Sequence, residues 1–281
     1  MTKATRTVSL RTGAEIEVWT DGANIDEPPL VLLPGVGGSK ELLGRVFELF
    51  AHDRRVVAMD LSPLFERRVS VLESSVRDVL EAVDALGLGE FDLLGQSFGA
   101  LVATRVTRAR PDHVRKLILA GPAVIPSSWA APAIFARWLG AGTLIRFCPR
   151  SLRPQLARLV RKSGGFAIEP ELEGEGFEDL VTRIQILRVL PWVRRMFAVR
   201  AISWRTELEG IEAPVLVIEG AREAALLPTK LIVFFDQRPN TKYVEMPGGH
   251  MPFLVRPEDF VKLVNDFLNA SHGLVQQKVE A

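Results

Sequence analysis

Three side chains of this sequence have the types and the order that acyl-transfer chemistry uses. Ser97 lies in LLGQSFGAL (93–101), between Gly95 and Gly99. A serine hydroxyl is a weak nucleophile by itself, but G-x-S-x-G between a buried strand and a helix forces a tight turn that presents the Oγ. Side chains at the two glycine positions would clash with neighbouring elements. The serine also needs a base. Of four histidines, His52 sits in a charged loop, His113 follows the serine helix on the far side of the sheet, and His272 is in the polar tail. His250, in VEMPGGHMPFL, directly follows the last expected strand and therefore emerges at the same sheet edge as Ser97. A third group should orient the imidazole and stabilise its charged form. Glu223, three residues beyond the glycine that ends APVLVIEG, is the expected acid, with Glu219 as a competitor closer to the strand.

The same chemistry needs two hydrogen-bond donors for the developing oxyanion. One is the Phe98 N–H, which follows the nucleophile. The other is expected from VLLPGVGGS (31–39), with Val36 N–H the best candidate, because the glycines let backbone approach a ligand closely. A phosphate-cradling loop is disfavoured there, since neither GK[ST] nor G-x-G-x-x-G occurs. Gly35, Gln96, Trp129 and Met251 complete the expected substrate-binding set.

These residues need a scaffold. Apolar runs at 30–33, 55–60, 91–94, 116–120, 214–219 and 243–246 have the composition of strands buried on both faces. Helical patterns separate them: 73–86 before Gly87, 100–110 before Pro111, and 257–268 opened by Pro257. This alternation predicts an α/β fold, a mostly parallel central sheet flanked by helices. It breaks between about 124 and 209, where arginine-rich helical patterns hold four of the five tryptophans and the single cysteine, Cys148. The expected organisation is an α/β core (1–123), an inserted helical cap (124–209), the rest of the core (210–270) and a polar tail (271–281).

Composition narrows the function classes. A formal charge of +1 over 281 residues gives no argument for nucleic acid. One cysteine excludes an intramolecular disulfide, and the polar N-terminal stretch lacks the apolar run of a secretory segment, so a cytoplasmic protein is expected. The apolar stretch 125–147 contains Pro126, Pro132, Gly140, Gly142 and Arg137, which argues against a membrane span. No metal and no organic cofactor are expected, and the expected partner is a small-molecule ester. Arg146, Arg150, Arg153, Arg158 and Arg161 read as a solvated face of the cap, with contact to an anionic lipid surface as the alternative.

LLPGVGGS, RVVAMDLS, LLGQSFGALVA, RPDHVRKLILAGPA, PVLVIEGAREAALLP and MPGGHMPFLVRPEDF follow one another as in the α/β-hydrolase fold superfamily, which the chain resembles from about Thr7 to Leu268. The resemblance implies Ser97 as nucleophile, His250 as base, Glu223 as acid, and Val36 and Phe98 as oxyanion donors. Several positions depart from the common pattern. Pro34-Gly35 replaces a His-Gly pair, glutamate replaces the usual aspartate, and LSPLFERR stands where a G-x-G-x-S run is common. The Glu223–Pro228 loop is a residue longer than usual, and the approach to the histidine a residue shorter. This spacing is similar to the maspardin-like branch, some members of which bind rather than catalyse; the histidine in GGHMPFL favours catalysis. The resulting expectation is a serine hydrolase for carboxylic esters with an apolar acyl or alcohol group. The alternatives are a non-catalytic interaction protein on the same scaffold and a lysophospholipase or monoacylglycerol lipase.

Overall fold

The computed structural model describes residues 3–22, 27–61, 70–122, 148–152, 155, 194–195, 197–199, 202–224 and 229–270. Eight strands form one sheet: β1 (Ala4–Ser9), β2 (Glu15–Asp21), β3 (Leu30–Leu33), β4 (Val56–Met59), β5 (Phe91–Gln96), β6 (Val114–Ala120), β7 (Val215–Gly220) and β8 (Thr241–Met246). Their order is β1-β2-β4-β3-β5-β6-β7-β8, and β3 to β8 all run parallel. The chain moves from β3 outward to β4, then crosses back over β3 to β5. The crevice beyond the C-terminal ends of β3 and β5 is thus a topological switch point, where open α/β sheets bind ligands. Registers Leu33↔Gly95, Gln96↔Ala120 and Gly220↔Met246 bring the strand ends level, so the loops that follow meet at one edge.

Each of the six expected strands is present. The antiparallel pair β1–β2 is an addition to the sequence reading. Only Val8 of β1 is buried, so it lacks the continuous apolar run of the inner strands. The described helices are α1 (Gly44–Phe50), α2 (Val71–Ala85), α3 (Phe98–Ala109), α4 (Trp204–Glu207), α5 (Ala221–Ala224), α6 (Thr229–Gln237), α7 (Pro252–Val255) and α8 (Pro257–Asn269). α2 starts earlier than its apolar stripe because Ser70 caps it: the Ser70 side chain accepts from Glu73 N–H, and the Glu73 carboxylate accepts from Ser70 N–H. On one face of the sheet α2 and α3 bury Val79, Val83, Leu101 and Val106; on the other, α1 and α8 bury Phe47, Phe50, Phe260 and Val264.

The expected cap lies mostly outside the described residues, as does the tail at 271–281. At its return, Trp204 and Leu208 are buried with the α2–α3 face, and Trp204 packs 6.4 Å from Phe235 of α6. No helix among the described residues is long and apolar enough to cross a membrane.

Candidate active site

The turn from β5 to α3 begins with Ser97, whose backbone is at φ 54° and ψ −115°. A positive φ on a non-glycine residue costs roughly 1–3 kcal/mol and persists only where the surroundings impose it. Here they do. A β-carbon at Gly95 would stand 2.2 Å from Gly99 O, and one at Gly99 would stand 2.5 Å from Pro34 O. The two glycines therefore let α3 start directly against β5 and β3. Ser97 N–H donates to Ala120 O at 2.9 Å, which fixes the turn to the end of β6.

His250 reaches the same edge from the loop after β8. Gly220 ends β7 so close to that loop that a β-carbon there would lie 1.9 Å from Gly249 O. Arg222 N–H donates to Gly248 O at 3.1 Å. These contacts latch α5, a single helical turn where the sequence suggests a loop, to the histidine loop. Glu223 on that turn meets His250 Nδ1 with both carboxylate oxygens, at 2.6 and 2.8 Å. The imidazole packs over Gly121, where a β-carbon would lie 3.3 Å from Nδ1 and 2.6 Å from His250 O. Ser97 and His250 are thus both seated on the end of β6 and the glycine that follows it, Ala120–Gly121.

Glu219, the competing acid, is fully buried at the end of β7, beside Glu223. Burial first, then the neighbouring carboxylates of Glu223 and Glu245, push its pKa well above the ordinary range. Glu219 thus favours its protonated form more than an exposed glutamate does, while Glu223 lies on the histidine.

The loop after β3 folds back over the elbow. A β-carbon at Gly35 would stand 2.3 Å from Gln96 Oε1 and 3.2 Å from Ser97 Cβ, so the loop lies in contact with the serine. Gly38, at φ 73°, closes a turn through its N–H to Gly35 O at 2.9 Å, and Leu61 N–H donates to Gly38 O at 2.9 Å. The Val36 side chain is half-buried, and Phe98 is fully buried at the first position of α3. Gln96 is buried beneath Gly35, and Met251 is half-buried against the cluster that includes α1 and α8. Trp129 lies outside the described residues.

One residue at this site escaped the sequence reading. Arg195 is buried, and its guanidinium donates to Val36 O and Leu61 O, both at 3.1 Å. Burial draws its pKa down to about 10, opposed by Asp60 and Asp78, so it remains a cation at neutral pH. Its neighbour Arg194 is exposed, and nothing in an Arg-Arg pair inside an arginine-rich stretch distinguishes the buried member.

A mostly parallel sheet flanked by helices, with a strained serine elbow and a histidine–carboxylate pair at the same sheet edge, defines an α/β-hydrolase architecture. The chain belongs to the alpha/beta hydrolase family, whose model matches residues 30–263. It is 26% identical over 268 residues to pyrrolizixenacetamide deacetylase of Xenorhabdus hominickii, covering 91% of this chain and 95% of the relative. It is likewise 26% identical over 247 residues to pimeloyl-[acyl-carrier protein] methyl ester esterase of Yersinia pseudotuberculosis, covering 85% and 92%. Among solved structures, an esterase from Exiguobacterium antarcticum has the same fold, with a TM-score of 0.74 at 17% identity over 95% of this chain and all of that one. These relatives are hydrolases, and they support a hydrolase of the α/β type.

Proposed function

We propose that the protein hydrolyses carboxylic esters through a Ser97–His250–Glu223 triad and an acyl-enzyme. The observation that carries the reading is the two-oxygen contact of Glu223 with His250 Nδ1, at the sheet edge that also bears the strained serine. In the first half-reaction Ser97 Oγ attacks the substrate carbonyl carbon, and its proton passes to His250 Nε2. Glu223 holds the Nδ1–H tautomer and stabilises the imidazolium. Negative charge on the carbonyl oxygen is met by the N–H groups of Phe98 and Val36, the first of them at the positive end of α3. As the tetrahedral intermediate collapses, His250 returns the proton to the leaving alkoxide and the alcohol departs. Water then attacks the acyl-enzyme by the same route in reverse. The tryptophan-rich segment 124–209 motivates an apolar acyl or alcohol group. Amide substrates run on the same machinery, and the Xenorhabdus relative is named as a deacetylase.

Treatment with a fluorophosphonate followed by peptide mapping, alongside a p-nitrophenyl ester chain-length series and an N-acetyl anilide, tests the reading. The expected result is a single adduct on Ser97 with ester turnover, and loss of about 10⁴–10⁶ in kcat for Ser97→Ala. A folded protein that takes no adduct overturns it in favour of a binding role.

A further inference from the structure

Both backbone donors proposed for the oxyanion belong to residues that touch one buried side chain. The Arg195 guanidinium donates to Val36 O at 3.1 Å, and its carbon lies 5.9 Å from the centroid of the Phe98 ring. A second hydrogen bond, to Leu61 O, reaches the segment after β4, which is itself bonded to the β3 loop through Leu61 N–H to Gly38 O. Lys40 N–H continues this tie by donating to Asp60 Oδ1 at 2.9 Å. Arg195 therefore bridges the loops that follow the neighbouring strands β3 and β4, from a segment close to the return of the chain at 202–209. Gly38 is shaped around it: a β-carbon there would stand 2.0 Å from Nη1, and φ is 73°.

A guanidinium is expensive to bury, and this one is 2% exposed. Its planar fork supplies what a loop of consecutive glycines lacks, a fixed orientation. Val36-Gly37-Gly38 has few side chains to hold its peptides, and an oxyanion donor works only if its N–H already points at the developing charge. The Arg195 fork holds the Val36–Gly37 peptide through the Val36 carbonyl. The Gly38 N–H to Gly35 O bond holds the adjoining Gly35–Val36 peptide that carries the Val36 N–H, so the brace fixes the far side of that turn.

We infer that Arg195 is a positioning residue for catalysis: it braces the Val36–Gly38 turn against Leu61 and Phe98 so that the oxyanion donors are preorganised. The inference rests on the hydrolase reading for its kinetic consequence, but the brace itself is a property of the fold.

The test compares wild type, Arg195→Lys, Arg195→Met and Gly38→Ala in the full chain, each checked for folding by thermal unfolding. Amide hydrogen exchange over 34–40 is read by mass spectrometry, together with kcat and KM for p-nitrophenyl butyrate and the rate of Ser97 labelling by a fluorophosphonate. In Arg195→Met, kcat and the labelling rate should fall by about 10–100-fold with KM changed by less than about threefold, because a misaligned donor weakens only the transition state. Exchange over 34–40 should accelerate. Lysine, which keeps the charge but not the fork, should recover part of each effect. Gly38→Ala, which pushes on the guanidinium from the loop side, should reproduce the kcat loss if the arginine variants do not fold. Unchanged exchange over 34–40 in a folded Arg195→Met overturns the brace, and labelling and kcat within about twofold of wild type overturn its catalytic role. If wild-type protein takes no adduct on Ser97, the hydrolase reading fails and the catalytic role fails with it. The exchange result then still decides the brace.

Discussion

Glu219 and Glu223 carry the same carboxyl group in opposite surroundings, and their substitutions should separate stability from catalysis. Glu219 is fully buried, and its pKa is raised well above the ordinary glutamate value of 4.5 by burial and then by nearby carboxylates. The folded protein therefore keeps a proton that the unfolded chain releases. Stability from this group is complete below the unfolded value and is lost as pH rises towards the folded one. Glu219→Gln, which is neutral at every pH, should remove that loss. Thermal unfolding from pH 4 to 8 should show wild type losing stability relative to the variant as pH rises, and parallel curves would sink the assignment. Glu223→Gln should instead leave the unfolding temperature nearly unchanged while kcat for an ester falls by about 10³–10⁴, as expected when the histidine loses its orienting carboxylate. If Glu219→Gln shows that fall instead, the acid role moves to Glu219. The placement of Ser97 on a strand-to-helix turn and of His250 just after the last strand was legible in the sequence, because a motif and the end of an apolar run mark them. The choice between the two glutamates was not, since it depends on the single turn of α5 that rotates Glu223 towards the histidine.

At the scale of elements, the junctions matter more than the elements themselves. β5 and α3 meet through Gly99, where an added methyl would face Pro34 O at 2.5 Å and Leu33 O at 2.6 Å, both fixed backbone. Gly99→Ala should therefore lower stability by about 2–3 kcal/mol in urea unfolding and take most of the activity with it, because α3 must move away from β3. Gly89 has open space around it, so Gly89→Ala should change stability by less than about 0.5 kcal/mol. Equal effects at the two positions would refute the packing argument. The C-terminus of α8 gives a second junction: the Lys116 ammonium donates to the carbonyls of Phe267, Leu268 and Ala270 and satisfies groups that a helix end leaves open. Sequence periodicity located β3 to β8 and the cores of α2, α3 and α8, because two-sided burial and 3.6-residue stripes leave plain patterns. It passed over α6, whose buried Phe235 stacks on Tyr243 at 6.2 Å, since adjacent Phe234 and Phe235 give no clear helical stripe.

For the molecule as a whole, the question is how a sheet whose neighbouring strands β6 and β7 lie far apart in the sequence stays one body. β6 ends at Ala120 and β7 begins at Val215, yet they pair from Leu117↔Val215 to Ala120↔Ile218. The return of the chain is pinned to α3 as well. Arg105 donates to both oxygens of Glu207 at 3.0 and 2.8 Å, and Arg108 donates to the carbonyls of Thr206 and Glu207. α3 begins directly after Ser97, so residues 206–207, on the way into β7, are tied to the helix that carries the elbow. The Glu207 side chain is 9% exposed and that of Arg105 is 33% exposed. Removing the more buried partner should cost more, because Arg105 can turn to water once freed. Glu207→Ala is expected to lose about 2–4 kcal/mol and Arg105→Ala about 1–2 kcal/mol, with a coupling of about 1–2 kcal/mol in the double-mutant cycle. Urea unfolding of the four proteins measures this directly. Additive losses would mean that the pair does not hold the two halves together, leaving Trp204 and the β6–β7 ladder as the junction.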